Sequence, residues 1–439
     1  MTPTINQAQA FFETLNPVQL LAAYGSPLYV YREDIIRQRA ADMQGLCDYP
    51  RFDVHYSAKA NSNVAVLQII RDSGLQVDAM SAGEIYAELF AGFQPEEILF
   101  VSNNVDIASF TYARDCGILT VVDSLSQLER YGQTAPGTSV VVRFNPGVGD
   151  GHHAKTITAG DHTKFGVAIT DENLVTLKGL LAQYDLRLAG LHMHIGSLFL
   201  EMDALLASGE NLLAVAKHFP DLDFVDLGGG FGISYHKSKG DQGLDLAKTR
   251  HQLTQFVHHF NDSYKVHHHR TRDLGFKIEP GRYLVAEAGV LLGTVMSTKQ
   301  NYGTTYVGTN IGFNAFMRPT LYDAAHDLFV YDPAGQLKQA ASDGLTPVTI
   351  TGNVCENSDN LAVNRPMPPL EIGDTLAIMD AGAYGHVMSS NYNNMLRPAE
   401  VMIRANGTVT LVRARDALAS LLESQGRLGD LVLKEREKP

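Results

Sequence analysis

From residue 52 onward the apolar and polar positions keep a regular beat. Short segments of two-residue alternation or continuous apolar character give way to longer stretches with apolar residues three and four apart. The strand-like segments are 52–58 (FDVHYSA), 75–81 (LQVDAMS), 98–102 (ILFVS), 119–124 (LTVVDS), 139–145 (SVVVRFN), 187–195 (RLAGLHMHI), 223–229 (DFVDLGG) and 275–281 (GFKIEPG). Helix-like spacing fills 64–73, 84–91, 105–115, 125–134, 171–183, 200–218 and 245–264. Short apolar strands separated by helices predict βα units and a parallel sheet. Eight of them over about 235 residues suit a closed (β/α)8 barrel better than a doubly wound sheet.

Upstream, the pattern predicts a helix over 8–23, a strand at LYVYRE and a helix over 34–46. Beyond about residue 285 the segments GVLLGTVMSTKQ, TTYVGTNI, LFVYD, TPVTIT, DTLAIMD, AEVMIRANG and TVTLVRA read as strands divided by turns such as DPAG and EIGD. The expected organisation is therefore a barrel over 35–285 and an all-β domain over 286–439, which the strand LYVY within 1–34 completes. A last helix, DALASLLESQ, leads into a charged tail.

Composition narrows the function. A net charge of -13 argues against a nucleic-acid surface, which needs Lys and Arg to neutralise phosphates. No apolar run approaches bilayer length, and the start, MTPTINQAQAFFETLNP, lacks the basic and apolar regions of a signal peptide. Cys47, Cys116 and Cys355 show no pairing or metal-site spacing, so a reducing, cytoplasmic setting is expected.

The chemistry collects at the predicted strand ends, which meet at one face of a barrel. Lys59 ends the first strand, in YSAKAN. Most lysines in such turns are solvated charges, but this one has small neighbours, apolar flanks and seven polar strand ends to meet, as a carbonyl-reactive amine requires. Gly228–Gly230 frees backbone N–H groups for an anion, although a tight turn would explain it equally. Glu279 and Arg282, in EPGR, are either a structural ion pair or a ring-nitrogen partner beside a phosphate ligand. Of His192 and His194, only one is expected to face the centre, and no metal site is expected. The polar stretch 150–166 reads as a mouth loop. Cys355 and Glu356 sit in a β-domain loop as a buried thiol beside a surface acid, or as a thiol that exchanges a proton. Arg318, Tyr322 and His326 recur at fours, as if on one helical turn, and could grip a carboxylate. Together these groups match the needs of a pyridoxal phosphate enzyme.

The chain resembles the fold-type III pyridoxal-phosphate decarboxylases, with the alanine-racemase-like barrel and β-domain, and is most similar to the members that act on diaminopimelate. YSAKAN, GLHMHIGS, DLGGGFG, EPGRYLVAEAG, MRPTLYDAAH, CENSD and GAYGHVMSSNYN carry the resemblance over nearly the whole chain. It implies that Lys59 binds pyridoxal 5'-phosphate and that His194 stacks on the ring. Ser197, Gly229, Gly230, Gly281, Arg282 and Tyr384 would hold the phosphate, and Glu279 would pair with the ring nitrogen. Arg318 and Tyr322, with Arg282, would clamp a distal carboxylate. The family's head-to-tail homodimers imply that Cys355, the proton donor, and Glu356, a substrate-amine contact, come from the other subunit. The implied reaction is decarboxylation of meso-2,6-diaminopimelate to L-lysine.

The departures from the family pattern lie near the presumed substrate mouth. They are Gly352-Asn353-Val354 before the cysteine, Asn357-Ser358-Asp359 after it, and Gly308, Thr309, Asn310 and Phe313 before Arg318. Met80 is a smaller change. They keep open a related amino-acid substrate, either of the lysine or ornithine type or a modified carboxylated amino acid. A racemase is disfavoured by Cys355 and the long C-terminal region. A non-catalytic relative should have lost Cys355, Arg318 or Glu279.

Overall fold

The computed structural model describes residues 6–149, 158–160, 163–339 and 344–425. Most of the predicted mouth loop and the tail after 425 lie outside the described residues. Two short helices, α1 (Gln7–Phe12) and α2 (Pro17–Tyr24), precede strand β1 (Leu28–Arg32) and helix α3 (Glu33–Gln44). Strands and helices then alternate as β2 (Phe52–Ser57), α4 (Val64–Asp72), β3 (Gln76–Ala79), α5 (Ala82–Ala91), β4 (Ile98–Val101), α6 (Ile107–Asp115), β5 (Leu119–Val122) and α7 (Leu125–Thr134). They continue with β6 (Ser139–Asn145), the two-residue β7 (Val167–Ala168), α8 (Asp171–Gln183), β8 (Arg187–His192), α9 (Asp203–Ala216), β9 (Phe224–Asp226), α10 (Leu246–His268), β10 (Gly275–Ile278) and α11 (Arg282–Val285).

Neighbouring strands pair in parallel, β5 meets β6, and β10 returns to β2, so the sheet is barrel-like. Side chains just after the strands begin several helices: Asn63, Ser81, Asp106, Ser124 and Thr170 each accept a backbone N–H of the first turn. Both faces of β2 are buried, because helices cover one face and the enclosed side covers the other. The register aligns Ser57 with Asp78, Asp78 with Leu99, and Val101 with Val121 and Val141. Leu99, Val101, Val121 and Val141 form an apolar cluster of their own. The polar groups at the strand ends therefore stand on a packed apolar floor.

The β-rich part comprises β11 (Gly289–Asn301), β12 (Thr304–Thr309), helix α12 (Arg318–Tyr322), β13 (Leu328–Tyr331), β14 (Thr346–Thr351), β15 (Asn360–Met367), β16 (Thr375–Ile378), β17 (Ala399–Ile403) and β18 (Val409–Arg413). Strand β1 lies between β11 and β17, antiparallel to one and parallel to the other, so the strand LYVY joins the C-terminal sheet. Among the described residues no helix is long and apolar enough to cross a membrane.

Three expectations need correction. The single helix over 8–23 is two helices, because extended Asn16 precedes Pro17 and its side chain caps Val18. The last helix is only a 3-10 turn at Ala419–Leu421, where Leu418 and Leu422 remain exposed among the described residues and add no buried face to hold a helix. Strand β15 has no clear sequence signal. It is an edge strand with Pro366 and a positive φ of 50° at Asn364, features that edges tolerate.

One buried carboxylate ties the two parts together. Glu400 of β17 accepts from Tyr31 Oη at 2.6 Å and from Asn63 Nδ2 at 2.9 Å, and it also pairs with Arg413. Asn63 caps α4 immediately after the Lys59 turn. Glu400→Ala would leave Tyr31 Oη and Asn63 Nδ2, both in buried residues, without their carboxylate partner, at a cost of roughly 1–3 kcal/mol for each. Its denaturation midpoint should fall well below that of the parent, whereas an unchanged midpoint would deny Glu400 this role.

Candidate active site

Lys59 sits in a single 3-10 turn, Ala58–Ala60, between β2 and α4. The turn is held on both sides. Ser57 Oγ donates to Asp78 Oδ2 at 2.5 Å and to the Glu279 carbonyl at 3.0 Å. From the β-rich part, Tyr384 N donates to Ala60 O at 2.8 Å, and Asn61 Nδ2 donates to Gly382 O at 3.0 Å. The Lys59 side chain keeps 32% of its exposure, and its Nζ lies 3.8 Å from Asp78 Oδ1. Burial favours the neutral amine, but Asp78 and Glu279 outweigh it and hold Lys59 above its ordinary pKa. Burial also pushes Asp78 up to about 7, with Lys59 opposing the shift.

Glu279 is buried just past β10, and its Oε2 lies 3.1 Å from His192 Nε2. Its Oε1 has no hydrogen-bond partner. Burial lowers His192 to about 4, and burial raises Glu279, with the charges of Lys59 and Arg143 opposing that rise. Asp226 joins them, and the ligand atoms of His192, Asp226 and Glu279 lie within 4.8 Å of one another. Acidic neighbours for His192 were not evident from sequence spacing, because they lie on three different strand ends.

His194 also turns toward this centre, contrary to the expectation that one histidine would face away. His192 and His194 lie two positions apart, and side chains two apart in an extended chain share a face, so both turn the same way; His194 Nδ1 accepts from Gly229 N at 3.1 Å. Burial, then the charges of Arg143 and Lys59, hold His194 well below its usual range.

The glycine run makes a close backbone cradle. Gly228 and Gly230 have φ of 72° and 112°, and a Cβ on Gly229 would collide with the Glu279 carbonyl. A Cβ on Gly281 would lie 3.0 Å from Ser57 Cβ. Beside the cradle, Arg282 donates to Ser197 Oγ at 3.0 Å and to Tyr235 Oη at 2.7 Å, while its Nε is buried without a partner. The Arg282 guanidinium also lies 4.8 Å from the Tyr384 ring centre.

Arg318 is buried and lies 4.9 Å over the Tyr235 ring, and its Nε meets His326 Nε2 at 3.2 Å. The three residues do not share one helical turn. Helix α12 ends at Tyr322, Asp323 takes a left-handed φ of 52°, and His326 comes back from the following loop. Arg318, Tyr322 and Tyr235 line a cavity of about 630 Å³ with Leu198, Ile233 and His236. Tyr235, which touches both arginines, carried no sequence signal of its own.

Cys355 and Glu356 lie elsewhere in the chain. Cys355 is exposed beside Asn393, with Sγ 3.3 Å from Asn393 Nδ2, and Glu356 accepts from Tyr392 Oη. Of the two readings of Cys355, the buried thiol is therefore corrected: the thiol is exposed among the described residues. Phe313 stacks on Tyr392 at 5.3 Å, and buried Asp359 accepts from Phe313 N at 2.7 Å and from Val354 N at 2.9 Å, so Phe313 meets the loop that carries Cys355.

An amine, a ring-sized acidic partner and a glycine–arginine anion cradle at adjoining strand ends fit a phosphorylated pyridine aldehyde. The pyridoxal-dependent decarboxylase family, in its pyridoxal binding domain, matches residues 33–286. The chain is also 36% identical over 416 residues to diaminopimelate decarboxylase of Methanothermobacter thermautotrophicus, covering 93% of each. The chain belongs to the fold-type III pyridoxal-dependent decarboxylases. It is a pyridoxal phosphate enzyme that decarboxylates a basic amino acid. The crystal structure of Helicobacter pylori diaminopimelate decarboxylase complexed with L-lysine matches with a TM-score of 0.80 at 28% identity, covering 92% of this chain and 98% of that one. A lysine/ornithine decarboxylase from Vibrio vulnificus, complexed with cadaverine, shares the fold with a TM-score of 0.74 at 21% identity, covering 88% of this chain and 97% of that one.

The free Glu279 oxygen, the unpartnered Arg282 nitrogen and the Gly229 approach are the features of this fold-type III site that the cofactor fits. Gly229→Ala should weaken cofactor retention about tenfold or more, because overpacking here costs on the order of 1–3 kcal/mol. Titrating the apoenzyme with pyridoxal phosphate and following its visible absorbance checks this. Parent-like affinity would mean that the loop does not form the cradle.

Proposed function

We propose that the substrate is meso-2,6-diaminopimelate and that the products are L-lysine and carbon dioxide. The observation that carries this reading is Arg318. It is buried beside a cavity, and among the described residues no carboxylate pairs with it. A buried guanidinium is costly unless an anion meets it. Arg282 adds positive charge nearby, enough to help lower the Arg318 pKa after the effect of burial itself. A distal carboxylate fits there, whereas the distal ammonium of lysine or ornithine would be repelled.

In this reading the strand-end ring is a TIM-type (β/α)8 barrel over 35–285, and the remaining residues form the β-domain. Lys59 holds the cofactor. The N–H groups at Gly229, Gly230 and Gly281, with Ser197, Arg282 and Tyr384, bind its phosphate, and His194 packs on its ring face. Glu279 keeps the ring nitrogen protonated. Pyridoxal phosphate, when bound, supplies the electron sink for the pair left behind as carbon dioxide departs. Arg318 and Tyr322, with Arg282, fix the distal carboxylate and so turn the reacting carboxylate toward the cofactor.

The exposed Cys355 and Glu356 serve the active site of a second subunit in a head-to-tail homodimer. There Cys355 returns a proton to the substrate Cα, and Glu356 takes the amine. The altered residues cluster around this thiol, which favours a related carboxylated amino acid as the second reading.

Carbon dioxide release from diaminopimelate, lysine, ornithine and arginine tests the substrate. Release is expected from diaminopimelate, and Arg318→Ala should reduce its kcat/KM by about a hundredfold or more while leaving cofactor absorbance intact. Release from lysine or ornithine but not diaminopimelate would refute the proposal. Release from none of the four would favour the modified carboxylated substrate.

A further inference from the structure

His326 has no part in the reaction as described above, although it is buried against the arginine that carries the substrate reading. Helix α12 ends at Tyr322, and the chain returns so that His326 Nε2 lies 3.2 Å from Arg318 Nε. Its other ring nitrogen, Nδ1, lies 2.7 Å from the carbonyl oxygen of Met379, just past β16. Met379 N donates in turn to Asp327 O at 3.0 Å, so the two backbone segments are tied beside this contact. Tyr235 and Phe316 meet the imidazole in edge-to-face contacts at 4.8 Å and 4.9 Å, and His326 is only 4% exposed. The loop after β9, the approach to α12 and the β-rich sheet thus all fix one ring.

The two hydrogen bonds decide where its proton sits. A carbonyl oxygen can only accept, so Nδ1 carries the hydrogen. A guanidinium Nε–H can only donate, so Nε2 keeps its lone pair. His326 is therefore the neutral Nδ1–H tautomer. Burial, then the charge of Arg318, holds it well below the ordinary histidine range; Arg282 and His236 act the same way, and the bond to Met379 opposes them. A carboxylate can grip a guanidinium side-on, through Nε and one Nη, or end-on, through both Nη groups. With Nε engaged by His326, the end-on fork remains for a carboxylate in the cavity that Arg318 lines.

We propose that His326 is a positioning residue for the substrate: through Nε2 it fixes the Arg318 guanidinium so that both Nη groups meet the distal carboxylate end-on. This rests on the reading of Arg318 as the distal clamp. It also sharpens selection, because an arginine free to swing could turn away from a distal ammonium, whereas a fixed one repels it.

Asparagine at this position places an amide N–H near the site of Nδ1 and keeps the bond to Met379, but it removes the acceptor for Arg318. Glutamine carries its carbonyl oxygen to the site of Nε2. His326→Asn should raise the KM for diaminopimelate about tenfold or more with a much smaller change in kcat, and His326→Gln should recover most of that loss. Cofactor absorbance should match the parent in both. Equal damage by the two variants would overturn the proposal. A parent-like His326→Asn beside a damaged Arg318→Ala strikes the role of His326 alone, whereas a parent-like Arg318→Ala strikes the substrate reading and this role with it. Should His326→Asn not fold, a neutron structure of the deuterated parent enzyme decides the matter. Deuterium is expected on Nδ1 of His326 and not on Nε2; deuterium on Nε2 would overturn the proposal whatever the substrate.

Discussion

Everything in this site depends on how tightly the short turn carrying Lys59 is held. Its barrel side is fixed by Ser57, which bonds to Asp78 and to the Glu279 carbonyl. Its other side is fixed by Tyr384, Gly382 and Glu400 from the β-rich part. The Lys59 amine thus stands at a seam, and neither part alone supplies the full set of anchors. A turn of three residues carries little rigidity of its own, so these long-range bonds provide it.

The seam also sets the electrostatics. Two buried carboxylates, Asp78 and Glu279, face Lys59, and Arg143 is coupled to Glu279, with burial opposing each of these charges. Such a site retains unmet capacity in its free state, seen in the partnerless oxygen of Glu279 and nitrogen of Arg282. A phosphorylated cofactor and a carboxylated amino acid bring charges of the kind that these groups lack. His192, held low by burial, lies against the other oxygen of Glu279 at 3.1 Å.

The strands were legible because each ends an apolar run with a polar residue, and a parallel sheet buries both faces of those runs. Lys59, Glu279 and the glycine cradle could be read for the same reason. Tyr235, Asp226 and the Asn63–Glu400 bond could not, since their importance comes from partners far away in the chain. The Asn63–Glu400 bond, for example, spans 337 positions. A spacing of two places His192 and His194 on one face rather than on opposite faces, and the terminal helix does not form where Leu418 and Leu422 stay exposed. Local pattern predicts an element well when its apolar face has a partner, and predicts a site well when each group lies at a regular strand end.

The most direct measurement is covalent. The cofactor-loaded enzyme is treated with borohydride, digested and mapped by mass spectrometry. The account predicts that the reduced pyridoxyl mass is attached to the peptide carrying Lys59. Attachment to Lys277 or to any other lysine would contradict it, as would full activity in Lys59→Ala.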